Sequence, residues 1–252
     1  MSRAAHLLDL AGLTPYDEAF ALQRALAEAV KQGALQDTVL FLEHEAVVTL
    51  GRRTEEVELH LPAGVRVDLV ETNRGGRSTY HGPGQLVCYP ILDLNRHGRD
   101  LRRYVRDLEA AIIQTIGAFG LEGTRIDGLT GVWLRGGQSR SGSGGQSPSG
   151  TDPEKIASIG VYASRWVTMH GYALNVDLDT APFTEWITAC GLDDARFTTM
   201  AAELGRPLMV NEVKPAAIAA IEATFGLALE PSEGDGHHLL REAGTHLVGF
   251  PR

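Results

Sequence analysis

The chain has 252 residues, 43% hydrophobic and 22% charged, which is ordinary for a soluble globular protein with one substantial core. A formal net charge of −9 argues against nucleic-acid binding driven by bulk charge, and two cysteines cannot form a disulfide framework. Neither a signal segment nor an apolar run of about twenty residues is found, so we expect one cytoplasmic domain over 1–252 that does not enter a membrane.

The first predicted elements are scaffold. Residues 14–33 are predicted to form an amphipathic helix that Thr14 caps. Strands are predicted over 38–42 and 46–50. His44, between them, is more simply interpreted as a solvated or hydrogen-bonded turn residue, and a place in the lining of a site is the alternative.

The segment from Arg74 to Tyr89 is the most informative part of the first half. It contains four glycines and continues into an apolar run, 86–92, that is typical of a buried strand. Glycines let a backbone approach a ligand closely, and the arginine, threonine and histidine side chains of this segment supply hydrogen-bond donors. Composition alone also fits a glycine-rich hairpin with solvated arginines, so both interpretations stay open.

A second helix is predicted over 108–119. The region before it, 95–106, contains five arginines and a histidine. A solvated helix face is the simpler interpretation, and docking of an acidic protein through Arg102 and Arg103 is the alternative.

Residues 136–152 form a low-complexity stretch with no apolar side chain to bury. They are predicted to form a mobile surface loop. An inert insertion and a flap that orders when substrate binds both fit the stretch.

Two further strands, over 155–162 and 167–176, are predicted to pair antiparallel. Lys155 opens the first of them in a chain with only three lysines against twenty arginines. A lysine can exchange a proton near neutral pH and an arginine cannot, so Lys155 is a candidate for a chemical role. A strand-end surface lysine is the ordinary alternative.

The two cysteines stand in different surroundings. Cys88 lies inside the apolar run, where burial would keep a thiol neutral, whereas Cys190 precedes Gly191 at a predicted turn. An isolated cysteine is usually a small buried hydrophobe, and an exposed reactive thiol is the alternative for Cys190.

The remainder is predicted to be structural. Helices are expected over 198–204 and 211–225, the second capped by Asn211. The adjacent His237 and His238 indicate metal only weakly, and we expect no metal site and no other cofactor.

Several segments together resemble the octanoyltransferases of lipoate biosynthesis, which move an octanoyl group from acyl carrier protein to a lysine of a lipoyl domain. Within 74–89 the order is Arg-Gly-Gly, Thr-Tyr-His, Gly-Gln and an aliphatic strand. Lys-Ile-Ala-Ser-Ile-Gly follows from Lys155, His-Gly-Tyr-Ala-Leu-Asn from His170, and Cys-Gly from Cys190. The first segment differs from the looser glycine-rich segment of the related lipoate and biotin protein ligases.

The resemblance implies a fold and a site. The fold is an α+β domain with a mixed β-sheet flanked by helices, as in the biotin and lipoate ligase superfamily. Cys190 would be the nucleophile that carries the acyl group as a thioester, and Lys155 the proton shuttle. The implied substrate-binding residues, some of which would wall an acyl tunnel, are Arg74, Gly75, Gly76, Arg77, Ser78, Thr79, Tyr80, His81, Ser158, Ile159, Gly160, Gly171, Tyr172 and Ala173.

The implied donor is octanoyl acyl carrier protein. The implied acceptors are the lipoyl domains of 2-oxoacid dehydrogenase complexes and the H protein of glycine cleavage. One alternative is an ATP-dependent lipoate or biotin protein ligase, which would have no use for Cys190. Another is a catalytically silent module that binds carrier protein.

Overall fold

The structure, a computed structural model, describes residues 2–135, 153–189, 196–232 and 236–244. The predicted insert at 136–152 and Cys190 with Gly191 therefore lie outside the described residues. The strands are β1 Arg3–Thr14, β2 Thr38–His44, β3 Val47–Leu50, β4 Asp68–Glu71, β5 Thr79–His81, β6 Gln85–Ile91, β7 Gly123–Ile126, β8 Leu129–Leu134, β9 Glu154–Ser164, β10 Val167–Asn175, β11 Arg196–Phe197 and β12 Leu227–Pro231. The helices are α1 Tyr16–Lys31, α2 Leu101–Gly117, α3 Pro182–Glu185, α4 Met200–Leu204, α5 Val210–Phe225 and α6 His237–Glu242.

A nine-stranded mixed sheet is the centre of the fold. Its order is β12-β1-β2-β6-β10-β9-β8-β7, with β11 paired to β9. β1 runs parallel to its two neighbours, β2 and β12. The neighbouring pairs β2–β6, β6–β10, β10–β9, β9–β8 and β8–β7 are antiparallel. A smaller sheet, β4-β3-β5, contains the middle of the glycine-rich segment, and the end of that segment is in β6 of the large sheet. With helices packed on both faces, the large sheet confirms the predicted α+β class.

Strand β6 shows how the core is divided. Leu86 and Cys88 pack in the cluster under α2 and α5, whereas Val87 and Tyr89 pack in the cluster under α1. Side chains alternate between the two faces of a strand, and both faces are covered, so every residue of β6 is buried. The predicted pairing of the strands after Lys155 is confirmed by the antiparallel ladder between β9 and β10.

The start of the first helix was predicted wrongly, and β1 was not predicted. Helix α1 begins at Tyr16, and Thr14 is the last residue of β1, paired with His44 of β2. The Thr14 carbonyl accepts a hydrogen bond from Nδ1 of His44 at 2.9 Å. Thr14 therefore belongs to the sheet, and its side chain does not cap the helix.

Three other helix starts also differ from the prediction. Helix α4 begins at Met200 rather than at residue 198, and the Thr199 side chain caps it by accepting from the backbone N–H of Ala202. Helix α2 begins at Leu101, because the Asp100 side chain accepts hydrogen bonds from the backbone N–H groups of Arg102 and Arg103 and caps the helix there. Helix α5 begins one residue before Asn211, which therefore lies inside the helix and is not its cap.

In the part of the chain that the structure describes, each helix is too short or too polar to cross a lipid bilayer.

Candidate active site

The glycine-rich segment lies across β9. The backbone N–H of Gly75 donates to the carbonyl of Val161 at 2.9 Å. A Cβ atom added at Gly160 would lie 2.9 Å from Cδ of Arg74, closer than real side chains approach. The missing side chain of Gly160 therefore lets the segment pack directly on the strand.

Arg74 is fixed in this arrangement by oxygen atoms. Its guanidinium donates to the carbonyl of Thr49 at 2.7 Å, to the hydroxyl of Thr49 at 2.8 Å and to the carbonyl of Arg77 at 2.8 Å. Arg74 is 6% exposed. Arg74 therefore ties the glycine-rich segment to β3 and places a positive charge at the edge of a small cavity.

A cavity of about 30 Å³, room for one or two water molecules, lies between this segment, the sheet and α1. Nine of the residues that the sequence predicted for substrate binding line it, and three of its residues were not predicted. The predicted lining residues are Arg74, Thr79, His81, Ser158, Ile159, Gly160, Gly171, Tyr172 and Ala173, and the others are Tyr16, Tyr89 and His170.

The other predicted residues of the segment do not line this cavity. Arg77 forms ion pairs with Glu55 and Glu58, and Ser78 donates to Glu58 at 3.1 Å. Tyr80 packs edge-on against Trp186 in the cluster around α3. Gly75 and Gly76 supply the backbone turn, with φ of +92° at Gly76.

The α1 side of the cavity carries a directed chain of hydrogen bonds. Nδ1 of His44 donates to the Thr14 carbonyl, so Nε2 accepts from the hydroxyl of Tyr89 at 2.7 Å. His44 is hydrogen-bonded as one interpretation had it, but it is 0% exposed and ends β2, so its interpretation as a solvated turn residue was wrong. The ring of Tyr16 lies against His44 and against His81, with centroids 4.9 and 5.9 Å apart.

A second chain orients His81. The Thr198 carbonyl accepts from the side-chain nitrogen of Asn175 at 3.1 Å, and Oδ1 of Asn175 accepts from Nε2 of Gln85 at 2.9 Å. Oε1 of Gln85 then accepts from Nδ1 of His81 at 2.7 Å. A backbone carbonyl thus fixes the direction of the chain and leaves Nε2 of the neutral His81 ring as an acceptor.

Burial keeps the imidazoles of the site uncharged. It lowers the pKa of His44 to about 4, although the hydrogen bond to Thr14 opposes the shift. Burial, followed by the charge of Arg74, lowers the pKa of His170 to about 3. Burial also lowers the pKa of His81 well below its usual value and raises the pKa of Tyr16 to about 12. The site is therefore rich in neutral hydrogen-bonding groups beside one arginine.

His170 reaches the cavity through an unusual backbone. Met169 and Ala173 pack on the α1 side of the sheet and Tyr172 on the opposite side, so alternation would point His170 away from α1. Its φ is +59°, in the left-handed region that costs a side chain about 1 to 3 kcal/mol. The imidazole instead contacts Phe20 of α1, with ring centroids 5.3 Å apart.

Lys155 lies on β9 near the cavity. It is 3% exposed, and its Nζ is 5.2 Å from the centroid of the Trp133 ring. Gly131, with φ of +129°, lies beneath it, and a Cβ atom there would be 2.9 Å from Cε of Lys155. Lys155 is thus buried against β8, and a strand-end surface lysine, the ordinary alternative, is wrong.

The structure describes one of the two cysteines. Cys88 is fully buried, and this burial raises the pKa of its thiol. Cys190 lies outside the described residues, which end at Ala189 and resume at Arg196. Phe197, which follows Arg196 at this resumption, pairs with Lys155 in the parallel ladder of β11 and β9.

The arginines before and within α2 are exposed and mostly paired. Arg96 forms an ion pair with Asp93, Arg103 with Asp107 and Arg106 with Glu109. The Arg99 guanidinium lies 4.9 Å from the centroid of the Trp166 ring. The Glu109 carboxylate is buried. The Arg103–Asp107 pair is exposed and contributes little to stability, so Arg103 can exchange partners at low cost.

A family described as the lipoyl protein ligase A/B catalytic domain matches residues 15–222. An octanoyltransferase of Geobacter sulfurreducens is 47% identical over 244 residues, which cover 92% of this chain and 93% of that protein. One of Mycobacterium tuberculosis is 45% identical over 214 residues, 85% of this chain and 84% of that protein. This chain belongs to the octanoyltransferases of that family.

Solved structures give this octanoyltransferase-family chain the fold of lipoate and biotin ligases. A bipartite lipoate protein ligase of Thermoplasma acidophilum aligns with a TM-score of 0.64 at 17% identity over 99% of this chain and 94% of that chain. A biotin protein ligase of Aquifex aeolicus aligns with a TM-score of 0.52 at 14% identity over 87% of this chain and 70% of that chain. At such identities the likeness shows the fold alone.

Proposed function

We propose that this protein transfers an octanoyl group from acyl carrier protein to a lysine of a lipoyl domain, with Cys190 as the residue that carries the group. The octanoyltransferase relatives support octanoyl transfer, and an enzyme of this kind is an acyltransferase. The observation that carries the proposal is the position of Lys155. Lys155 lies on β9 three residues before Ser158, which lines the cavity, and this spacing corresponds to about 10 Å along the strand.

The flanking chain supports a meeting of Lys155 with Cys190. Phe197 pairs with Lys155, and the backbone N–H of Thr198 donates to the Lys155 carbonyl at 3.0 Å. The chain that follows the Cys190 segment therefore begins beside the lysine. Before Cys190, the Thr188 carbonyl accepts a hydrogen bond at 3.4 Å from the hydroxyl of Ser78, which lies within the glycine-rich segment.

The chemistry needs a nucleophile and a group that carries protons. The Cys190 thiolate would attack the thioester carbonyl of the donor, release the carrier thiol and form an octanoyl thioester. The amine of the acceptor lysine would then displace the cysteine sulfur and form the amide. Lys155 would take the proton from the Cys190 thiol and give it to the departing carrier thiolate. In the second step it would take a proton from the acceptor amine and return it to the Cys190 sulfur. An ammonium group can give up a proton in this way and a guanidinium cannot.

The acyl chain would lie in the cavity that Ile159, Gly160 and Ala173 line. At about 30 Å³ the cavity is smaller than the chain, so binding would displace water and move side chains. Each methylene transferred from water gains about 0.8 kcal/mol. The same active site would serve the lipoyl domains of 2-oxoacid dehydrogenase complexes and the H protein of glycine cleavage as acceptors.

Intact-protein mass spectrometry after mixing with octanoyl acyl carrier protein tests the proposal. Wild-type protein should gain the mass of one octanoyl group and lose it when a lipoyl domain is added. Cys190→Ala should gain nothing, whereas Cys88→Ala, the matched control, should gain it, because Cys88 is buried away from solvent. An adduct that persists in Cys190→Ala would exclude Cys190 as the carrier. Transfer of free lipoate that requires ATP would instead favour the ligase chemistry of the structural neighbours.

A further inference from the structure

The imidazole of His170 lies between the cavity and a second, larger concavity. His170 lines the cavity, and its neighbours Asn73 and Phe20 line an open depression of about 670 Å³ on the surface. The other residues around the depression are Arg24, Arg52, Glu71, Thr72 and Tyr162.

Several neighbours hold the imidazole, and Asn73 and Phe20 do so from the side of the depression. Its Nε2 lies 2.7 Å from Oδ1 of Asn73, and its ring stacks on Phe20. The Tyr16 hydroxyl lies 3.5 Å from Nδ1 on the cavity side. The backbone N–H of His170 donates to Gln23 of α1 at 2.8 Å. These contacts offset the cost of the left-handed backbone, which turns the ring to the cavity side.

The order of residues along β9 gives the direction of the path. Lys155 comes first, Ser158 to Gly160 line the cavity, and Tyr162 lines the depression. An acyl chain whose carbonyl is near Lys155 would therefore extend along the strand, and its methyl end would point towards His170.

We propose that His170, held by Asn73 and Phe20, is the end wall of the acyl pocket and sets the longest acyl chain that the enzyme accepts. The inference rests on the proposed function, because it requires the acyl chain to lie in the cavity. Removal of either support lets the ring move and joins the cavity to the depression. Each further methylene that leaves water could then improve binding roughly fourfold.

The test compares chain lengths within each preparation. Rates of acyl-enzyme formation are measured by intact-protein mass spectrometry with octanoyl and dodecanoyl acyl carrier proteins. The proteins are wild type, Asn73→Ala, Phe20→Ala and the matched control Phe119→Ala, whose half-buried ring packs on the opposite face of the sheet. Because both rates come from the same sample, any loss of folded protein cancels in their ratio.

In Asn73→Ala and in Phe20→Ala, the two wall variants, we expect the ratio of the dodecanoyl rate to the octanoyl rate to rise at least tenfold over wild type. Phe119→Ala should keep the wild-type ratio. A ratio within twofold of wild type in both wall variants would overturn the inference alone, as would an equal rise in Phe119→Ala. Absence of any octanoyl adduct on wild-type protein would overturn the proposed function, and the inference with it.

Discussion

Replacing His44 by glutamine should make the protein less sensitive to acid. His44 is neutral in the folded state, with its pKa lowered from 6.5 to about 4 by burial. Glutamine can donate to the Thr14 carbonyl and accept from Tyr89, and so can take over both hydrogen bonds of the ring, but it does not titrate.

The sign and size follow from linkage between protonation and folding. Below pH 6.5 the unfolded chain binds a proton at His44 that the folded protein excludes, so acid favours unfolding until the pH approaches 4. Each pH unit in this window lowers the free energy of unfolding by about 1.4 kcal/mol, so at pH 5 the titration of His44 should lower it by about 2 kcal/mol. Above pH 6.5 the ring is neutral in both states and contributes no pH dependence.

Urea unfolding at pH 7.5 and pH 5 measures the effect. The free energy of unfolding of wild-type protein should fall by about 2 kcal/mol more than that of His44→Gln over this range. His238→Gln, at an exposed position on α6, is the matched control and should behave as wild type. Equal losses in wild type and His44→Gln would show that His44 does not keep a buried neutral ring.

Two further changes test Lys155 and the arginine-rich helix start. Gly131→Ala should lower the rate of octanoyl transfer at least tenfold in a single-turnover assay, because a Cβ atom there would lie 2.6 Å from the Ala157 carbonyl and 2.9 Å from Cε of Lys155 and would displace β9 with the lysine. Gly128→Ala should keep the wild-type rate, because a Cβ atom there meets nothing within 4 Å. An unchanged rate in Gly131→Ala would mean that the position of Lys155 does not matter for transfer. Arg102→Glu with Arg103→Glu should raise the apparent KM for octanoyl acyl carrier protein severalfold and weaken its dependence on salt, with no change for a small octanoyl thioester. An unchanged KM would remove this helix start from the docking surface.

The sequence predicted those parts of the site that depend on local order. The glycine-rich segment, the buried strand after it and the paired strands from Lys155 onward follow from composition and period two, and the structure has them at those positions. Cys88 could be assigned to the core for the same reason.

The missed residues depend on distant contacts or on a broken period. Tyr16 and His44 come together only because β1 pairs with β2, and β1 has no clean alternation of exposed and buried residues. His170 defeats the period-two rule through its positive φ. A histidine directly before Gly171, whose added Cβ atom would lie 2.1 Å from the Cys88 carbonyl, was the available signal that this strand is irregular.

The order of the strands has a consequence for how the chain acquires its shape. β1 lies between β2 and β12, and β12, its outer partner, begins only at Leu227, far along the chain from β1. Until that late strand is synthesised, one side of β1 presents unpaired amides and carbonyls to the cell. Closure of the sheet at β1 must therefore wait for β12, which favours slow completion of the fold and a period in which chaperones can bind the open edge.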